Sequence, residues 1–135
     1  MTYLLDSNVL TQLLRRNAQV VERYRSTLRR GELVYLSAVV YYEVKRGLLH
    51  VGATTQLRRL DEDFKAVLRW GTVSDATWDK AAELWAECRR QGRPHDDDGD
   101  LLIAAQAIAL GAVVVTRNAR DFVDLQGTVE NREAQ

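Results

Sequence analysis

Short apolar runs alternate with amphipathic, helix-length stretches along the whole chain, and this alternation limits the fold more than any other feature. Thr2–Leu5 reads as a first buried strand and residues 33–36 as a second. Residues 72–73 read as a brief third, 112–115 as a fourth and 128–130 as a fifth at the edge. Between them lie helical patterns. Ser7 or Asn8 caps a helix carrying Val9, Leu10, Leu13 and Leu14. Val20, Val21, Tyr24 and Leu28 mark a second helix, stopped by Gly31. Ser37 caps a helix over residues 38–49, with Gly52 just past its end. Leu57, Leu60, Phe64, Val67 and Leu68 share one face of a helix over 57–68. Asp75 caps a helix carrying Trp78, Ala81, Ala82, Trp85 and Cys88. A loop through Asp98 leads to a helix over 99–110 that ends at Gly111. Strands this short and apolar, alternating with helices, imply a parallel sheet covered on both faces.

The chain of 135 residues suits one domain, 1–135, with one core. One Pro and eight Gly leave no room for a flexible linker. Formal net charge is +0, from 19 basic and 19 acidic residues, whereas a dedicated duplex-DNA binder is usually basic. The pairs Arg15-Arg16, Arg29-Arg30, Arg58-Arg59 and Arg89-Arg90 read mostly as solvated helix faces. A single cysteine, Cys88, and no basic, apolar leader point to a reducing cytoplasm. The apolar stretch 101–115 is too short to span a bilayer and is interrupted by Gln106 and Gly111.

Three carboxylates fall where apolar residues belong. Asp6 ends the run Tyr3-Leu4-Leu5, Glu43 lies on the stripe Val40, Val44, Gly47, and Asp100 opens the stripe Ile103, Ala104, Ala107, Ile108. Buried acids are unfavourable unless something compensates their charge. In parallel sheets, sites form beyond the carboxyl ends of strands where strand order switches. Asp6 follows strand one, Ser37 and Glu43 follow strand two, and Thr116, Arg117, Asn118 and Asp121 follow strand four. Carboxylates gathered in one crevice repel each other, and a divalent cation resolves that repulsion. Oxygen-only donors favour Mg²⁺, with Mn²⁺ as the alternative, over Zn²⁺. Such ions activate water for displacement at phosphorus, so phosphodiester hydrolysis is the indicated reaction. Each acid also has an ordinary role open to it. Asp6 can cap the first helix, Glu43 can pair with Arg46, and Asp100 can complement a helix dipole. Asp96, Asp97 and Asp98 read as a solvated loop plus a cap, with Asp98 held in reserve as a site residue. No Ser-His-Asp set stands out, since His50 and His95 have no motif context, and there is no Gly-rich phosphate loop.

These segments resemble the PIN-domain ribonucleases, specifically the VapC toxins of type II toxin–antitoxin pairs. The resemblance rests on Leu5-Asp6-Ser7-Asn8-Val9, on Leu36-Ser37 through Tyr42-Glu43-Val44-Lys45-Arg46-Gly47, on Asp100-Leu101-Leu102-Ile103-Ala104-Ala105, and on Val115-Thr116-Arg117-Asn118-Ala119-Arg120-Asp121. It spans essentially the whole chain. It implies a three-layer α/β/α sandwich around a four- to five-stranded, mostly parallel sheet. By position it makes Asp6, Glu43 and Asp100 the catalytic, metal-holding acids. The fourth acidic position falls on Asn118 or Asp121, with Asp121 adding charge. Ser7 and Asn8 would position Asp6 or a water. The implied role is endoribonuclease activity against cellular RNA, restrained by a VapB antitoxin, in a homodimer or a hetero-oligomer with that antitoxin. Lys45, Arg46, Arg117 and Arg120 are the candidates for holding RNA phosphates, and Arg46 and Arg117 can instead pair with the acids. Leu10, Leu13, Leu14 and Tyr41 offer either an antitoxin groove or ordinary core, core being the simpler reading for the leucines.

Two other classes compete. A phosphatase of the haloacid dehalogenase type uses a strand-end Asp but wants a second Asp two residues on, where this chain has Asn8. A non-catalytic PIN-like module would bind nucleic acid or protein without cutting.

Overall fold

The structure, a computed structural model, describes residues 1–118 and 122 and the backbone of residues 128–131. Five strands form one sheet: β1 (Thr2–Leu5), β2 (Leu33–Ser37), β3 (Arg69–Gly71), β4 (Val113–Thr116) and β5 (Thr128–Asn131). Their order is β3-β2-β1-β4-β5 and every neighbouring pair is parallel. Strand β1 is central, with Leu4 opposite both Tyr35 and Val114. The strand order reverses between β1 and β4, which opens a crevice beyond their carboxyl ends. Every residue of β4 is buried, as are Tyr3, Leu4 and Leu5 of β1, so helices cover both faces of the sheet.

The helices are α1 (Ser7–Leu14), α2 (Ala18–Arg29), α3 (Ala38–Val51), α4 (Thr54–Arg59), α5 (Asp75–Arg90) and α6 (Asp98–Leu110). Helix α6 is buried at every position from Leu101 to Ala107, as expected of an almost uniformly apolar helix. It packs on β1, β4, α3 and α5. Leu10, Leu13 and Leu14 belong to the core, as the simpler reading holds, and Tyr41 joins them. Gly52 and Gly111 terminate α3 and α6 in the left-handed region, at φ +68° and +61°.

Several local expectations shift. The cap of α1 is Asp6 rather than Ser7 or Asn8, and the cap of α5 is Ser74 rather than Asp75. The cap of α6 is Asp97, whose Oδ1 accepts from the Asp100 N–H. The third strand lies at Arg69–Gly71, just before the residues expected. In place of a regular helix over 57–68, α4 starts early and runs on into a π-helical segment, Leu60–Lys65. Its wider turn keeps Leu60 and Phe64 buried and leaves Val67 exposed. On α5 the buried stripe is Thr77, Ala81, Leu84 and Cys88, so Trp78 and Trp85 face outward.

One buried amide ties the layers together. Gln106 of α6 is 1% exposed. Its Nε2 donates to the carbonyls of Gly71 and Thr72, 3.0 Å each, and its Oε1 accepts from the Ser37 hydroxyl. The residue that interrupts the apolar run in the sequence is the clamp between α6 and the ends of β2 and β3.

Candidate active site

Asp6 is 3% exposed and emerges where β1 ends. Its backbone N–H still bonds Val115 O at 2.9 Å, which extends the sheet pairing by one residue and fixes the carboxylate beside β4. Oδ1 accepts from the Ser7 N–H at 2.8 Å, capping α1. Oδ2 accepts from the Thr116 hydroxyl at 2.8 Å and from Asn8 Nδ2 at 3.2 Å. The capping role is therefore real but occupies one oxygen; the other is held from across the crevice. Thr116 Oγ1 also accepts from the Asn118 N–H at 3.0 Å and from Asn8 Nδ2 at 3.2 Å. Asn8 Oδ1 in turn accepts from the Arg117 N–H at 2.9 Å. Asn8 and Thr116 thus stitch the start of α1 to the end of β4, and Asp6 sits in the stitch. Ser7 contributes through its backbone.

Glu43 projects from α3 into the same region. Its Oε1 is buried and, among the described residues, has no hydrogen-bond partner. Burial, then the nearby charges of Asp97 and Asp6, push its pKa above the ordinary glutamate range, with Arg46 opposing them. Asp97 was expected only as loop or cap, yet it acts on Glu43 more strongly than Asp6 does. Gly99 explains how α6 comes so close. A methyl group there would stand 2.9 Å from Glu43 Oε2 and 3.0 Å from Asp97 Oδ1. The only sequence signal for this approach is a glycine in the first turn of a helix, between Asp98 and Asp100.

Asp100 lies on the same first turn, with its Oδ2 3.7 Å from His95 Nε2. His95 is thus a neighbour of the site that no sequence motif marked. Asp98 is exposed and lines a cleft of about 470 Å³ with Tyr42, Glu43, Arg46, Val73, Trp78 and Gly99. Arg46 is exposed and stacks over the Tyr42 ring at 5.0 Å. Lys45 reaches a different side chain: its Nζ donates to Tyr41 Oη at 3.3 Å. Arg117 is half-buried beside Asn8, and its Nε has no hydrogen-bond partner among the described residues. Asp121 and Arg120 fall outside the described residues.

Among the described residues, no three His, Cys, Asp or Glu side chains close into a ready-made metal cage. The donor set nonetheless fits a hard divalent ion. All the candidate donors are oxygens, Glu43 keeps a buried oxygen without a partner, and Asp6 and Asp97 burden it with like charge. Mg²⁺ characteristically takes one or two carboxylates and completes its shell with water and substrate phosphate.

Comparison with known proteins supports the fold. The sequence model of the PIN domain matches residues 3–127. Ribonuclease VapC1 of Haemophilus influenzae strain R2866 is 26% identical over 141 aligned residues, covering 93% of this chain and 96% of that protein. Among solved structures, VapBC2 from Rickettsia felis, bound to a DNA fragment from its promoter, superposes with a TM-score of 0.83. It is 24% identical and covers 98% of this chain and 99% of its own. VapBC-1 from nontypeable Haemophilus influenzae gives a TM-score of 0.81 at 23% identity, covering 97% of this chain and 98% of its own. The three-layer α/β/α arrangement is the one these structures share. With the domain model spanning nearly its whole length and the acids set at the switch point of its sheet, the chain belongs to the PIN-domain family.

Proposed function

We infer that this chain is a divalent-metal-dependent endoribonuclease, the toxin of a VapBC-type pair, cutting RNA phosphodiester bonds in the crevice between β1 and β4. The observation that carries the reading is Glu43: a half-buried carboxylate with one unpartnered oxygen, crowded by Asp6 and Asp97. The relatives named ribonuclease VapC1, and the toxin–antitoxin complexes among the structural neighbours, support the substrate and the partner. Asp6 and Glu43, joined by Asp100, would hold Mg²⁺ or Mn²⁺. Such an ion supplies a water of lowered pKa and neutralises charge on the phosphate.

The chain's own residues do the positioning. Thr116, Asn8 and the Ser7 N–H fix both oxygens of Asp6 before substrate arrives, so no reorganisation is needed at the moment of reaction. Arg46, at the mouth of the cleft, offers positive charge to an RNA phosphate; Arg117, at the end of the fourth strand, is a second candidate for that role, and Arg120, close behind it in the sequence, a third. Asn118 or Asp121 adds the fourth polar group. The antitoxin restrains the nuclease within a hetero-oligomer.

Total cellular RNA incubated with the purified chain in Mg²⁺, Mn²⁺ or EDTA, beside Asp100→Asn, tests this. Discrete fragments are expected with metal only, and more than about 100-fold less cleavage from the variant. Equal cleavage by Asp100→Asn removes that residue from the machinery. The competing reading is a non-catalytic PIN-like module that binds nucleic acid or protein without cutting. RNA binding without fragments, by folded and metal-saturated protein, would select that second reading.

A further inference from the structure

The loop between α5 and α6 turns one side chain inward. From Gln91 to Asp98 every residue is exposed except His95. The His95 side chain is 18% exposed, and its Nε2 stands 3.7 Å from Oδ2 of Asp100, whose side chain is 15% exposed. The backbone on either side is anchored. Ahead of His95, the Arg93 N–H bonds Cys88 O at 2.8 Å. Beyond it, Asp96 pairs with Arg89 at 2.7 Å and Asp97 caps α6. The imidazole is therefore held against one of the acids assigned to the metal.

We propose that His95 is a ligand of the metal at the acidic site, and that its nitrogen makes the site prefer a first-row transition dication such as Mn²⁺ over Mg²⁺. The inference rests on the metal-dependent reading and deepens it by naming the class of ion. Neutral imidazole is among the commonest metal ligands. Two donors of one ion, each about 2.1 Å from it, can stand up to about 4.2 Å apart. The 3.7 Å between His95 and Asp100 lies within that span and exceeds a direct hydrogen bond. The chemistry of the donors then separates the ions. Mg²⁺ takes oxygen, gives up its waters reluctantly and gains little from a nitrogen. Transition dications accept imidazole readily. Asp6, Glu43 and Asp100 supply hard oxygens that suit Mg²⁺ and Mn²⁺ alike, and His95 adds the donor atom that discriminates between them.

The test loads the full-length chain, stripped of metal, with Mn²⁺ alone and reads the bound ion by pulsed electron paramagnetic resonance. A nitrogen coupling from a directly bound imidazole is expected in wild type and in His50→Gln. It should vanish in His95→Phe, which keeps the ring shape and removes both nitrogens. In calorimetric titrations, His95→Phe should lose more than about 10-fold in Mn²⁺ affinity, with Mg²⁺ affinity nearly unchanged. Bound Mn²⁺ without nitrogen coupling in wild type overturns the proposal and confines His95 to steadying Asp100. So does a coupling that survives in His95→Phe, or an equal loss of affinity for both ions. The wild-type spectrum alone decides the first point, so the proposal stays open to refutation even if the variant fails to fold. A folded wild-type chain that binds neither ion rejects the metal-dependent reading itself, an outcome distinct from Mn²⁺ bound through oxygen only.

Discussion

Asp6 shows how a site can be half visible in a sequence. A charged residue closing an apolar run is conspicuous, and so is Glu43 on an apolar stripe. Thr116 is not, because a threonine at a strand end has no meaning until β1 and β4 lie side by side. Its hydroxyl then bonds a carboxylate 110 residues earlier. Thr116→Val keeps the shape and removes one donor to Asp6 and one acceptor for Asn118. Stability should fall by about 1–3 kcal/mol and RNA cleavage should drop more steeply than stability, while Thr116→Ser should recover both. Paired denaturant melts and cleavage assays check this. Gly99 and Asp97 escaped notice for a related reason: their importance is a matter of distance between α3 and α6. Gly99→Ala should change the melting temperature little, since the helix-favouring alanine is offset by crowding of Glu43 Oε2 and of the Asp97 Oδ1 that caps α6. Its cleavage rate should nonetheless fall, because Glu43 must turn aside. A variant as active as wild type would show that Glu43 needs no fixed place.

Elements were legible in proportion to how regular they are. The apolar strands, the stop of α2 before Gly31 and the caps of α3 follow from local pattern. The π-helical turn after α4 does not, because Leu60 and Phe64 satisfy an ordinary helical stripe equally well. Its widening is tied to tertiary contacts such as the Tyr41 hydroxyl donating to Asp61 at 2.6 Å. On α5 the stripe read from the sequence holds at Ala81 and Cys88, but Trp78 and Trp85 have the spacing of core residues and only packing against α6 shows that Thr77 and Leu84 take their places. Gln106 is the sharpest case at this scale. Gln106→Leu is apolar and of similar size, so a pattern-based view expects it to improve the core. The structure indicates the reverse, because the change strips partners from the Ser37 hydroxyl and the Gly71 and Thr72 carbonyls. A loss of about 2–4 kcal/mol in chemical denaturation is expected, since more than one buried group is left unpaired.

For the molecule as a whole, the parallel sheet with helices on both faces was readable, and the strand order that creates the crevice was not. Alternation of elements fixes neighbours only loosely, while the order β3-β2-β1-β4-β5 depends on which hydrophobic faces can be covered together. Global stability should carry the mark of the site. Glu43 takes up a proton more readily in the fold than in the unfolded chain, so metal-free protein binds more protons when native across that window. This contribution is complete below the ordinary glutamate range and is lost as pH rises through the raised value. Metal-free wild type should therefore lose stability with rising pH in that interval, Glu43→Gln should not, and saturating Mg²⁺ should raise the melting temperature of wild type far more than that of Asp6→Asn. Melting curves across pH with and without EDTA measure all three; parallel curves for wild type and Glu43→Gln would count against the electrostatic account of the site.

The long tether between Asp6 and Thr116 also orders events in time. A ribosome delivers the partner hydroxyl of Asp6 110 residues after Asp6 itself, on the order of ten seconds later at ordinary elongation rates. Until β4 docks, the Asp6 N–H has no Val115 carbonyl to bond and the carboxylate has no Thr116 hydroxyl beside it. The centre is completed only once β4 has been made, and an interrupted chain that stops short of β4 is left without an assembled centre.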